Sequence, residues 1–166
     1  MLCSHMPTKE QCWLMMKRPS EGLLAGQWEF PSTCVWNSSE KAKKEKKSKD
    51  KKKAGSKPAA VQVPIIDPDV RSDALDSLLS DIFQASDKHS TDDINKRVQM
   101  KDEPIVHIFS HVSHTMWVEH GKHVDEEVHN ERWKLNDREV GWLTESMMAT
   151  VGITSGVRKV LSAVQK

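Results

Sequence analysis

The stretch "HIFSHVSHT", His107 to Thr115, gathers three of the chain's eight histidines with Phe109, Ser110 and Ser113. Three chemistries are open to such a cluster. Imidazoles four apart, His107 and His111, can ligate zinc from one face of a helix. Histidines at a sheet edge can simply satisfy backbone groups. Alternatively, a serine hydroxyl between an aromatic ring and an imidazole can read a flat, polar ligand, because it both donates and accepts while its neighbours stack or donate. The local sequence disfavours zinc. "PIVHIFSHV" is rich in β-branched residues and follows Pro104, so it reads as a strand or its turning end, and no glutamate completes an H-E-x-x-H pattern.

The elements that would position this cluster follow from apolar spacing. "CWLMMK" at 12–17 is a short unbroken apolar run, as in a strand buried on both faces. "RPSEGLLAG" has the punctuation of a turn, with Pro19, Gly22 and Gly26. "QWEFP" alternates, so Trp28 and Phe30 face one way and Gln27 and Glu29 the other until Pro31 ends the strand. A second short strand is expected over Cys34–Trp36. Asp67 and Pro68 suit the start of a helix whose stripe is Leu75, Leu78, Leu79, Ile82 and Phe83. The polar stretch 86–97 either extends that helix or loops away. "PIVHIF" and "HTMWVEH" read as strands, 120–132 as a charged turn, and "RWKL" as a brief strand. Val157, Val160, Leu161 and Val164 mark a C-terminal amphipathic helix. The order predicts an α+β (α/β) domain with helices on a mixed sheet.

The charge is uneven. Between Lys41 and Lys53, nine lysines stand against Glu45 and Asp50, a local +7; since the whole chain carries +1, the remainder carries −6. The segment 38–62 has no apolar periodicity and should be a disordered insertion within a single domain, 1–166. It can serve as a solvated loop, as a tether to phosphate, or as a nuclear-import signal through Lys41–Lys53. Cys3, Cys12 and Cys34 are separated by eight and twenty-one residues and fit no common metal pattern, so free thiols and no bound metal are expected. No apolar run is long enough to span a membrane, and no signal-peptide pattern opens the chain.

"RPSEGLLAGQWEFP", Arg18 to Pro31, resembles the C-terminal domain of MutY-type adenine DNA glycosylases, whose fold is that of Nudix hydrolases. The family pattern is R-P-x-x-G-L-L-A-G-x-W-E-F-P. "HIFSH", His107 to His111, is similar to the family's H-x-F-S-H loop. "WLT" at 142–144 and "GVRKVL" at 156–161 are similar to its closing segment. The resemblance covers most of the chain outside the lysine insertion, and two motifs in the right order carry it. It implies a Nudix-like mixed sheet sandwiched by helices. It also implies that Phe109 wedges between base pairs, Ser110 reads 8-oxoguanine, His111 is a neighbouring contact, and His107 orients the loop. Arg18, Arg158 and Lys159 are candidate phosphate contacts. The partner that the resemblance implies is double-stranded DNA carrying 8-oxoguanine:adenine mispairs, with the chain expected as a monomer in the nucleus or mitochondrion.

In that family a separate N-terminal half holds a catalytic aspartate and a four-cysteine 4Fe-4S cluster. Neither is legible here, and three scattered cysteines cannot hold that cluster. The chain alone is therefore expected to carry no cofactor and no catalytic residue, to bind DNA weakly and to remove no adenine. Two other readings remain. A Nudix-type nucleotide diphosphate hydrolase needs the glutamate-rich box that holds magnesium, whereas "WEFPS" is followed by Thr33 and later by Asp73, Asp76 and Asp81 without an R-E-x-x-E-E run. A non-catalytic interaction adaptor would keep the fold without contacting DNA.

Overall fold

The computed structural model describes residues 2–6, 9–36, 66–86, 97–99, 103–109, 112–123 and 131–165. The insertion at 38–62 lies outside the described residues, as do Ser110 and His111. The strands are β1 (Leu2–Met6), β2 (Lys9–Lys17), β3 (Trp28–Glu29), β4 (Val98–Gln99), β5 (Ile105–Phe109), β6 (Val112–Met116), β7 (Glu119–His123), β8 (Arg132–Leu135) and β9 (Arg138–Thr144). The helices are α1 (Pro68–Gln84), α2 (Glu145–Thr150) and α3 (Ser155–Val164).

A seven-stranded sheet runs β4-β7-β1-β2-β9-β8, with β3 added on β2. The β1–β7 pair is parallel and the other pairs are antiparallel, so the sheet is mixed. A separate hairpin joins β5 to β6. The expected mixed α+β architecture is what the chain forms.

β2 explains why "CWLMMK" is apolar without alternation. It lies inside the sheet, between β1 and β9, and both its faces are covered. Cys12, Leu14 and Met16 join Val140 and Trp142 of β9 against Leu79, Ile82 and Phe83 of α1. Trp13 and Met15 face the other way and join Trp28, Leu143, Met148 of α2, and Val157 and Val160 of α3. One sheet therefore carries two cores, each closed by helices. A fully buried side chain of this size contributes roughly 1.5–3 kcal/mol, so this five-residue run is a large part of what holds the layers together.

α1 begins as its sequence dictates. The Asp67 side chain accepts from the Asp69 backbone N–H at 2.9 Å, and Pro68 occupies the first turn. The helix stops at Gln84, with the Ala85 N–H returning to the Asp81 carbonyl. Its end is tied to β8 by the Trp133 indole, which donates to the Ile82 carbonyl at 2.9 Å. Arg97 ties the middle of the helix to β7, bonding Asp76, the Ser72 carbonyl and hydroxyl, and Glu119 at 3.0 Å. Arg71 adds a second link, stacking its guanidinium 3.9 Å from the centre of the Trp117 ring.

Three expectations are corrected. Cys34–Trp36 is not a strand; instead the Cys34 thiol turns back to the Trp36 carbonyl at 3.3 Å. "HTMWVEH" is not continuous, because β6 ends at Met116 and β7 begins at Glu119, with Trp117 drawn aside onto Arg71. The stretch from 120 is not all turn. Gly121 and His123 are buried in β7, where His123 lies between the Phe83 and Trp142 rings, at 5.9 and 5.2 Å. Among the described residues, no helix is long and apolar enough to cross a membrane.

Candidate nucleic-acid interface

The hairpin that carries the histidine cluster is in register from Ile105↔Met116 through His107↔His114 to Phe109↔Val112. Alternation sorts its residues. Ile105 and Met116 pack into the core shared with α3, while Val106 and Ile108 are exposed, Ile108 at 70%. His107 turns inward with Ile105, and its Nε2 lies 3.1 Å from the Ser155 hydroxyl at the start of α3. The hairpin is thus fixed to α3 at two levels, by apolar packing and by an imidazole–hydroxyl bond. Lys159, on the same helix, donates to the Val106 carbonyl at 3.4 Å. An ammonium has three protons, so this bond leaves donors for a second acceptor.

α3 is well placed to hold its end of the contact. Thr154 caps it, its hydroxyl accepting from the Val157 N–H at 3.4 Å. Just before the cap the chain runs beside β3. The Trp28 N–H donates to the Gly152 carbonyl at 2.8 Å, and the Thr154 N–H donates to the Trp28 carbonyl at 3.2 Å. β3 thereby links the R-P-x-x-G-L-L-A-G loop to the helix that anchors the hairpin.

That loop is built on itself. The Arg18 N–H bonds the Gln27 carbonyl at 2.8 Å and the Gly26 N–H bonds Pro19 at 3.1 Å. Gly22 and Gly26 adopt positive φ, 98° and 69°, which glycine accepts without a Cβ clash. Leu24 also sits in the left-handed region at φ 56°, a conformation that costs a leucine energy and is held by its surroundings. The Arg18 guanidinium closes the loop from within, bonding the Leu23 carbonyl at 3.1 Å and Glu29 at 2.6 Å.

The residues singled out in the sequence therefore fall into three groups. His107 and Lys159 meet at the hairpin–α3 junction, and Arg158 is exposed on the same helix. Arg18 stands apart, in the loop before β3, with Glu29 as partner. Ser110 and His111 connect Phe109 to Val112, the last pair of the hairpin register, but lie outside the described residues, as does the side chain of Phe109. Sequence reasoning missed Ser155. It is 48 residues from His107, and only the fold brings the two together. Among the described residues, no three His, Cys, Asp or Glu side chains converge to hold a metal ion.

No protein-family model matches the chain, and no curated protein matches it. Among solved structures it is similar to the crystal structure of a Nudix hydrolase from M. smegmatis, RenU, with a TM-score of 0.45 and 13% identity over 98% of this chain and 83% of that one.

Proposed function

We propose that this chain is a DNA lesion-recognition module of the kind found in MutY-type adenine DNA glycosylases, reading 8-oxoguanine opposite adenine. The observation that supports the reading is the Phe109-Ser110-His111 sequence, which begins at the last paired residue of a hairpin that is itself tied to α3 through His107 and Ser155. A recognition element needs such a mount, because a reader displaced by an ångström loses its hydrogen bonds.

The chemistry is a difference of two atoms. Oxidation turns N7 of guanine from an acceptor into a donor and adds a carbonyl oxygen at C8. The Ser110 hydroxyl accepts from the N7 proton, and a neighbouring donor meets the new oxygen. Undamaged guanine offers neither, and a lost or mispaired buried hydrogen bond costs about 1–3 kcal/mol. Phe109 supplies an apolar wedge that unstacks a base step. His107 sets the pitch of the hairpin. Arg158 and Lys159 on α3 meet phosphates, and Arg18 does so from its loop. Adenine excision belongs to a separate catalytic half carrying the 4Fe-4S cluster, which flips the base out before hydrolysis. Lys41–Lys53 serves as a nuclear-import signal.

The test is binding of the purified chain to duplexes containing 8-oxoguanine:adenine or guanine:adenine. The wild type should prefer the damaged duplex and Ser110→Ala should lose most of that preference. Equal affinity for the two duplexes in the wild type refutes the reading. A magnesium-dependent assay on nucleoside diphosphates should show no turnover; hydrolysis there would favour the nucleotide hydrolase instead.

A further inference from the structure

A second cationic surface lies on the same sheet face as the hairpin and α3, and it comes from strands far apart in sequence. Lys17 of β2 and Arg132 of β8 share one carboxylate, Glu139 of β9, at 3.2 and 3.0 Å. Both cations also lie over the Trp28 ring, with their charged groups 5.7 and 5.4 Å from its centre. Lys134 stands opposite Glu139 in the β8–β9 register, on the same side of β8 as Arg132. Three cations against one carboxylate leave a local charge of +2.

The face is open. Arg132 and Lys134 are exposed while Trp133 and Leu135, between and beyond them, turn toward the α1 core. It also runs against the composition, since the chain outside Lys41–Lys53 carries −6. Two of the three cations, Lys17 and Arg132, are held in place. Glu139 fixes Lys17 and Arg132 from one side and the indole of Trp28 limits them from another. Trp28 joins this surface to the proposed reader. Its side chain shares a buried core with Val157 and Val160 of α3, and its backbone bridges to Ile153, just before the helix that carries Arg158, Lys159 and the His107 contact.

We infer that Lys17, Arg132 and Lys134 form a nucleic-acid backbone contact that adds affinity without reading sequence or damage. The inference rests on the DNA-binding reading but not on lesion selectivity. A row of cations with Arg132 and Lys134 exposed suits a phosphate backbone, which presents repeated negative charge and releases counterions when it is neutralised. Lys134 is the cleanest probe because it takes part in neither of the Glu139 ion pairs.

The experiment measures affinity of the full chain for damaged and undamaged duplexes across a range of salt concentrations, with circular dichroism to establish folding. Lys134→Ala should reduce the steepness of the salt dependence by about 0.9, and Arg132→Ala with Lys134→Ala by about twice that. Both duplexes should weaken by the same factor, and Arg132→Lys with Lys134→Arg should restore binding. An unchanged salt slope in the double-alanine variant overturns the inference, as does a loss confined to the damaged duplex. If Ser110→Ala erases selectivity while the slope stays put, this surface is wrong and the reader stands. If the wild type binds neither duplex, or binds only anionic phospholipid vesicles, both fall.

Discussion

At the scale of single residues, two buried groups have predictable consequences. His120 of β7 sits 6.2 Å, ring centre to ring centre, from Trp13. Among the described residues, its Nε2 and the Trp13 Nε1 are buried without a hydrogen-bond partner. Burial foremost, with help from Lys122, pulls the His120 pKa below its ordinary value. A lowered value means that the fold disfavours the proton. The stability this gives is present above about pH 6.5, where the unfolded histidine is also neutral, and is lost as pH falls through the folded value. Thermal melts from pH 7.5 down to about pH 5 should therefore show a decline that His120→Phe partly flattens. Arg97 behaves in the opposite sense. Burial alone would lower its pKa, but Asp76 and Glu119 outweigh that and raise it, so the guanidinium stays charged throughout. Arg97→Met leaves Glu119, itself 14% exposed, without that cation. It should cost about 2 kcal/mol in chemical denaturation, below the range for a fully buried pair because Asp76 is largely exposed.

At the scale of elements, the β8–β9 pairing and the start of α3 matter most. A Cβ on Gly141 would lie 2.7 Å from the Glu131 carbonyl oxygen and 2.9 Å from Arg132 Cγ. That oxygen already accepts from the Trp142 N–H at 3.1 Å. Gly141→Ala should therefore shift β8 against β9 and destabilise the chain by roughly 1–3 kcal/mol, measured as a lower denaturant midpoint. Thr154→Ala removes the cap of α3 and should cost about 1 kcal/mol. Ser155→Ala should leave the helix nearly as stable but release His107. Its readout is faster amide exchange in β5 with little change in global unfolding.

Elements also show where sequence reading succeeds. β2, α1 and α3 are legible because each buries a continuous or periodic apolar pattern. β1 and β7 are not, since "LCSHM" and "EHGKH" carry polar residues whose fitness for a strand comes from neighbours such as Phe83 and Trp142 around His123. α2 spans six residues, too few to announce itself, and depends on the Thr144 cap and the burial of Met148. The Phe-Ser-His motif is legible as a resemblance. Its mount on Ser155 and the row Lys17, Arg132 and Lys134 are not, because both are assembled from strands and helices distant in the chain.

At the scale of the whole molecule, charge is organised by segment. The lysine insertion holds +7 while the remainder is acidic, and the structure gathers some of the remaining cations near one end of one sheet face. If the insertion acts only as an import signal or tether, deleting 41–53 should leave the melting temperature unchanged. It should reduce overall DNA affinity at low salt and leave the preference for damaged over undamaged duplex intact, since lysines attract phosphate without reading bases. A fall in stability on deletion would instead place that segment within the folded unit.

The most direct measurement is the ratio of dissociation constants for guanine:adenine and 8-oxoguanine:adenine duplexes, taken at one salt concentration for the wild type and for Ser110→Ala. The account predicts a ratio of about tenfold or more for the wild type, collapsing toward one in the variant, as expected for loss of a hydrogen bond worth 1–3 kcal/mol. A wild-type ratio of one, or a ratio that survives Ser110→Ala untouched, would contradict it.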